Sequence, residues 1–484
     1  MIGASIRHKN AVFTVHTTLP REQSAIVTAT KNQKIAAGIT ASLILMSLAI
    51  MPVQTMIALL AILSLVYFSD MVFHFTSIIR SLIHNPEIKI PQTEIRQLKD
   101  DDLPTYTVLC PLYKEANVLP DFVNAVSHLD WPKDKLEVLL LLEEDDFETI
   151  YVAQSSDLPP FVKTVIIPDS QPRTKPKACN YGLGLATGRY LVVYDAEDRP
   201  EPFQLKKAYL AFRRVDSSVK CLQAKLNYYN PGQNLLTRLF TAEYSLWFDL
   251  ILPGLQSMNT YIPLGGTSNH FRTWDLRHLK GWDPFNVTED CDLGARIFRL
   301  GYRTAVFDST TYEEANSNVR NWIKQRSRWI KGYMQTYLVH MRKPLDFYRE
   351  KGKEALVFQL VVGCRIMFLF LNPVLWLMTA GYFLMRGTLG PTIESFYPSI
   401  VFYFAAASLV AGNFLNIYYY MVGLARRNQW GLIKYVYLVP FYWILASIAA
   451  LVAVYQLIFK PHYWEKTEHG LTVRSRSYDL SLQT

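Results

Sequence analysis

The sequence predicts an α/β domain inserted between transmembrane α-helices, and three observations carry that expectation. Long stretches lack charge: Ile366 to Met385 and Ser399 to Leu424 contain no Lys, Arg, Asp or Glu. The section between the two apolar ends has ordinary soluble character. Within it, short apolar runs alternate with helical stretches, the pattern of parallel βαβ units in a sheet covered on both faces.

The apolar elements come first in the chain. Ile35 to Phe68 is uncharged and long enough for two passes, since one pass needs about 20 apolar residues as helix. A break is expected near Met51-Pro52, and the polar residues ahead of the stretch set it apart from a cleavable signal peptide. A further apolar run follows Lys434 and reaches Phe459. Lys31, Lys34, Arg426, Arg427 and Lys434 mark their flanks as cytoplasmic by the positive-inside bias. The expected organisation is a cytosolic tail (1–34), a transmembrane hairpin (35–75), a cytosolic α/β domain (100–345), an interfacial helix (346–365), transmembrane helices (366–460) and a tail (461–484). The stretch from Ala355 to Met385 is interrupted at Asn372-Pro373; five spans would put the tail outside while its basic last part favours the inside, so either that stretch crosses twice, giving six spans, or the tail is an exception.

Composition narrows the function. With 50% hydrophobic residues and a net charge of +9, the chain reads as a membrane protein whose basic excess serves topology and attraction to anionic lipid or nucleotide. No basic run is interleaved with stacking aromatics, so nucleic acid is not an expected partner. The cysteines, Cys110, Cys179, Cys221, Cys291 and Cys364, form no CxxC pair and no zinc spacing, and read as reduced cytosolic thiols.

In the soluble section, TYTVLCPLY, LEVLLLLEEDD, TVIIPDS and RYLVVYDAED read as strands, with helices at Val118 to Ser127 and Ala178 to Ala186. Ligands of such sheets bind off the carboxyl ends of the strands. There stand Tyr113 and Glu115, then Glu143, Glu144, Asp145 and Asp146, then Asp195, Glu197 and Asp198. Clustered carboxylates repel unless a cation sits among them, and hard oxygen ligands select Mg²⁺ or Mn²⁺, usually together with substrate phosphates. A metal-bound diphosphate is therefore expected, with Lys175 and Lys177 adding positive charge. GLGLATG, Gly182 to Gly188, lacks GxGxxG spacing and precedes a strand, which excludes a dinucleotide loop.

A second group lies downstream in IPLGGTSNHFR and in Thr288-Glu289-Asp290, ahead of the helical run Leu293 to Leu300. The latter reads as a helix cap, as a first-turn charge pattern, or as a general base accepting a proton from an attacking hydroxyl. QRSRWIKGYMQ follows, with Gln325, Arg328 and Trp329 three and four residues apart on one helical surface. A tryptophan face suits a sugar ring, and Arg328 can neutralise a leaving diphosphate.

Together PLYKE, KACN, YDAED, GGTSN, TED and QxxRW resemble family 2 glycosyltransferases, especially the processive membrane-bound branch that includes cellulose, hyaluronan, chitin and poly-N-acetylglucosamine synthases. The resemblance implies a GT-A type domain and an inverting single displacement that yields a β-linked sugar from a nucleotide sugar, UDP-linked by family frequency. It implies nucleotide contacts for Tyr113, Glu115 and Glu144 or Asp145, and a place near the diphosphate for Lys177, Gln325 and Arg328. Metal ligation falls to Asp195 with Glu197 or Asp198, and the general base to Asp290 beside Glu289. The acceptor contacts are Thr267, Ser268 and Trp329, with His270 beside them. Partners would be the donor, a growing glycan or a lipid acceptor, membrane lipid and an accessory export protein, in the plasma (inner) membrane of a bacterium. Trp464, Glu465 and His469 read either as gating residues or as interface anchors. A transporter or inert scaffold has no need of Asp195 and Asp290.

Overall fold

A computed structural model describes residues 1–8, 11–468 and 470. Among the described residues ten strands occur: β1 (Ser5–His8), β2 (Ala11–Thr14), β3 (Tyr106–Leu112), β4 (Leu136–Glu143), β5 (Val162–Ile167), β6 (Tyr190–Val193), β7 (Arg199–Pro200), β8 (Val219–Tyr228), β9 (Asn269–Arg272) and β10 (Arg303–Glu313). β1 and β2 form a separate hairpin, and the other eight form one sheet in the order β5-β4-β3-β6-β9-β8-β10-β7. Every residue of β4 is buried, as an apolar run without alternation requires of a strand covered on both faces. Val108, Leu140 and Val192 point into the core on one face, and Leu109, Leu141 and Leu191 into the other.

The first four strands of this sheet, β3 to β6, pair in parallel as expected. Beyond them the sheet is mixed: β9 runs antiparallel between β6 and β8, and β7 runs antiparallel to β10. The reason is where the chain re-enters. After β8 it makes a helical excursion, and the loop 258–268 returns to the carboxyl-end edge beside Asp195, so β9 must run back the other way.

Among the described residues five helices are long and apolar enough to cross a membrane. α1 (Lys31–Ile50) and α2 (Pro52–His84) meet at Met51, whose dihedrals of −134° and 66° break the helix ahead of Pro52. α1 starts against the α/β domain, where Gln33 donates to the Leu338 carbonyl at 2.7 Å. α2 ends against it, where Arg80 donates to Ser257. The pair therefore goes out and returns.

Four further helices place the site: α3 (Lys175–Leu185), α4 (Leu235–Leu246), α5 (Glu289–Arg299) and α6 (Val319–His340). Residues 353–384 then run on without a break, through a π-helical turn at Gln359–Cys364 into α7 (Arg365–Leu384), which continues through Pro373. α8 (Asn413–Arg426) returns to the domain, where Arg427 pairs with Asp249. α9 (Val439–Phe459) meets α6 at both ends: Tyr442 packs on Trp322 with ring centroids 5.0 Å apart, and Gln456 accepts from Lys331 at 3.0 Å. The described residues after α9 consequently lie against the α/β domain, while the basic end of the tail lies outside the described residues.

Candidate active site

The carboxyl ends of the strands open into one pocket of about 220 Å³. β3 delivers Tyr113 and Glu115, β6 delivers Asp195 and Glu197, and the loop into β9 delivers Thr267. The start of α5 supplies Glu289 and Asp290, and α6 supplies Gln325, Arg328 and Trp329. Residues separated by some 200 positions thus converge because parallel strands end at the same edge.

The pocket is acidic and closely managed. Lys175 forms an ion pair with Asp195 and donates to the Gly266 carbonyl at 2.7 Å. Asp198 is buried; its Oδ2 accepts the Asp195 backbone N–H at 2.7 Å and the Thr267 hydroxyl. Its Oδ1 is buried without a hydrogen-bond partner. Burial, then the neighbouring Asp195 charge, pushes the Asp198 carboxyl up to about 8. Glu313, at the end of β10, is raised by burial and by the same two aspartates. Burial also raises Glu289 to about 8 and Asp290 to about 6. Burial works against the Arg328 cation, while Glu289, Asp195 and Asp290 favour it. Among the described residues no three His, Cys, Asp or Glu side chains already stand as a metal cluster.

Thr288 occupies the cap position of α5 but makes no side-chain cap bond. The capping alternative for Thr288-Glu289-Asp290 therefore falls away. What holds this segment is α6: Gln335 Oε1 accepts the Val287 N–H at 3.0 Å, and Gly332 packs so closely on Thr288 that a Cβ there would lie 2.3 Å from its Oγ1. The asparagine of KACN has a similar task, since Asn180 exchanges two hydrogen bonds with the Trp282 backbone, both 2.9 Å.

Several expected site residues lie elsewhere. Lys177 is fully buried beneath the pocket and pairs with Glu143 at 2.8 Å. Glu144 is exposed and accepts the Asp169 N–H, while Asp145 meets the Tyr113 hydroxyl at 3.3 Å and Arg173 at 2.7 Å. The acceptor contacts expected of Ser268 and His270 are corrected. Ser268 is buried against the Thr311 hydroxyl at 2.6 Å, and His270 lies inside the sheet beside the Tyr106 hydroxyl at 2.7 Å. Ser268 stands in the turn into β9 with a left-handed backbone, φ 56°, and His270 lies within β9; both side chains are fully buried. Burial lowers the His270 imidazole to about 3, so it stays neutral.

The structure adds Lys466 and Thr467, which motif reading missed, and gives Trp464 its place. The segment after α9 folds back over the pocket: Trp464 stacks under the Arg328 guanidinium at 4.5 Å, Lys466 pairs with Glu115 at 2.7 Å, and Thr467 joins the lining. Gln335 donates to the Pro461 carbonyl at 2.9 Å and Asn321 to that of Glu468, also at 2.9 Å, fastening this segment to α6. Trp464 and Glu465 were legible as an aromatic and an acid beyond an apolar run; Glu465 contacts Ser327 at 3.5 Å. His469 lies outside the described residues.

The pocket also shares walls with a larger cavity of about 840 Å³ among the apolar helices. Glu243, Trp247, Arg326, Tyr333 and Arg365 line both. At this junction Glu243 of α4 accepts both arms of Arg326 at 2.9 and 2.6 Å, with Arg365 at 3.5 Å. Arg326 faces Trp329 and Arg365 faces Trp247, at 4.9 and 4.3 Å from the ring centroids.

The chain is similar to known proteins. Residues 190–459 match Glycosyl transferase family group 2, and 107–272 match Glycosyl transferase family 2. The probable glycosyltransferase YdaM of Bacillus subtilis (strain 168) is 27% identical over 277 residues, 57% of this chain and 65% of that protein. The probable glucomannan 4-beta-mannosyltransferase 15 of Arabidopsis thaliana is 25% identical over 248 residues, 49% of this chain and 46% of that protein. The chain thus spans between about half and two thirds of the length of these relatives. Among solved structures, the Pyrobaculum calidifontis mannosyltransferase PcManGT in complex with GDP-Man and Mn²⁺ aligns with a TM-score of 0.47 and 18% identity, covering 82% of this chain and 99% of that one. With more than half of its length inside the first match and the expected motifs gathered on a GT-A type α/β domain, the chain belongs to glycosyl transferase family group 2.

Proposed function

We propose that this protein transfers a hexose, with inversion, from a nucleotide-diphosphate sugar to the end of a β-linked glycan that is led into the membrane cavity. The observation that carries this reading is the shared wall of Glu243, Trp247, Arg326, Tyr333 and Arg365 between the acidic pocket and the apolar cavity. A pocket serving a soluble acceptor has no need to border such a cavity.

In this reading Asp290 takes the proton of the attacking hydroxyl, and a carboxyl brought to about 6 is a working base at neutral pH. Trp329 carries the terminal sugar of the acceptor. Lys175 and Arg328 set positive charge where the diphosphate departs. Asp195 and Glu197 would hold Mg²⁺ or Mn²⁺, and the oxygen donors together with the partnerless Asp198 Oδ1 fit such a cation. Bound there, the cation supplies charge neutralisation to the diphosphate. Asp198 then fixes Asp195 through its backbone N–H. The basic flanks Lys31, Lys34, Arg426 and Arg427 support a catalytic domain on the cytosolic side. UDP-sugars are the first donors to test and GDP-mannose the next, because relatives are named mannosyltransferases.

The apolar lining of the cavity favours a second reading, transfer of a single sugar to a lipid. One experiment tests both. Purified protein in vesicles receives labelled UDP-glucose, UDP-N-acetylglucosamine or GDP-mannose with Mg²⁺ or Mn²⁺, beside Asp290→Asn. The first reading expects high-molecular-weight label that the variant lacks. Label extracted into organic solvent as a single-sugar lipid would overturn it in favour of the second.

A further inference from the structure

The amino-terminal residues ahead of α1 are built into the catalytic domain. Ser24 Oγ and the Ala25 N–H donate to the two oxygens of Asp283 at 2.7 and 2.6 Å, and all three residues are buried. Thr17 donates to the Lys280 carbonyl, and the Thr14 N–H to the Gln171 carbonyl at 3.0 Å. Phe13 meets Phe285 edge to face at 5.3 Å, and Val15, Ala25 and Ile26 share a small core with Phe285 and Val339. From the other side Arg342, just past α6, donates to four backbone carbonyls of the segment, those of Arg21, Glu22, Ser24 and Val27.

These contacts fall on two places that matter for the chemistry. Residues 280–287 lead directly into Thr288, Glu289 and Asp290, and Val339 and Arg342 stand at the far end of the helix that carries Gln325, Arg328 and Trp329. Directly after the segment, Thr30 caps α1 and Gln33 donates to Leu338. A tail needed only for topology has no reason to bury a carboxylate and engage a half-buried guanidinium fork against the chain that aims the catalytic acids.

We propose that residues 11–28 are a positioning brace that holds Glu289 and Asp290 in register with α6, with Asp283 and Arg342 as its positioning residues. The kinetic part of this proposal rests on the glycosyl-transfer reading. The brace joins the loop before α5 to the end of α6 and ties both to the first membrane helix. Releasing it leaves the donor-binding residues of β3 and β6 in place and lets the start of α5 drift.

The test uses full-length protein carrying Arg342→Met, with Arg342→Lys and Asp283→Asn as milder variants should the first fold poorly. Two readouts are followed: nucleotide-diphosphate release from the donor that wild type accepts, and amide exchange over 11–28 and 288–292. Arg342→Met is expected to lower kcat about 10- to 100-fold, the size of effect that an ångström of misplacement produces, with donor KM within about twofold. Exchange over 288–292 should quicken together with that over 11–28. Arg342→Lys, which reaches fewer carbonyls, should fall between the two. Loss of protection over 11–28 with 288–292 unchanged would overturn the proposal, as would a fall of kcat matched by an equal loss of donor affinity. Should wild type turn over none of the donors, the glycosyl-transfer reading fails, and the exchange readout alone decides whether the brace holds α5.

Discussion

Gly332→Ala probes the contact on which the geometry of the pocket depends. Gly332 sits on α6 three residues after Trp329, against Thr288 at the head of the catalytic acids. A Cβ at this position would lie 2.3, 2.5 and 2.6 Å from the Oγ1, Cγ2 and backbone N of Thr288, where ordinary contact starts near 3.4 Å. The hydroxyl and methyl can turn away, but the backbone nitrogen cannot, so α5 and α6 must separate by on the order of 1 Å at the cost of overpacking, about 1–3 kcal/mol. Separation of that size between a base and its acceptor platform lowers kcat about 100-fold. The assay is nucleotide-diphosphate release under donor saturation, with calorimetry of the nucleotide in parallel. Donor affinity should stay within about threefold, because β3 and β6 are untouched. Gly38→Ala, which meets nothing within 4 Å, serves as the neutral control. A Gly332→Ala enzyme with wild-type kcat would refute the coupling of α6 to Asp290.

Other outcomes follow from the same geometry. Asp290→Asn removes the proposed base and should cost about 10²- to 10⁴-fold in kcat. In the wild type, a base lifted to about 6 must lose its proton to work, so kcat/KM should be flat above that pH and fall about tenfold per unit below it. Lys177→Met strands the buried Glu143 charge and should destabilise the domain by about 3–5 kcal/mol, seen as a lowered unfolding midpoint. Adding Glu143→Leu should recover most of the loss; retained stability in the single variant would mean that Lys177 acts on the donor instead. Trp329→Ala should raise the acceptor KM about tenfold with donor KM unchanged, and an unchanged acceptor KM would remove it from the acceptor path.

Much of this molecule was legible in its sequence because the signals are local. The uncharged runs appear as long helices, the break at Met51 stands beside its proline, and the apolar runs appear as β3 to β6, the polar residues read with the last three lying just beyond the strands. β9 was not legible as a strand: NHFR is four residues long, and its pairing is supplied by β6 and β8 from distant parts of the chain. Among site residues, Asp195, Glu289, Asp290, Gln325, Arg328 and Trp329 converge on one pocket. His270 and Ser268 sit only one to three positions from the pocket-lining Thr267 and yet bond within the core, because the left-handed turn at Ser268 and the pairing of β9 with β6 set their directions, and neither is written in the local sequence.

The sequence by itself determined the apolar helices, the parallel half of the sheet and the acids at its edge, since each is written in a periodicity or a run that a few neighbouring residues express. Only the tertiary structure decided that Lys177 is a buried counter-charge, that Lys466 and Trp464 close the pocket, and that the amino-terminal segment grips the loop before α5. Those facts depend on contacts between residues far apart in the chain, whose energies come from burial and from partners that no local pattern names.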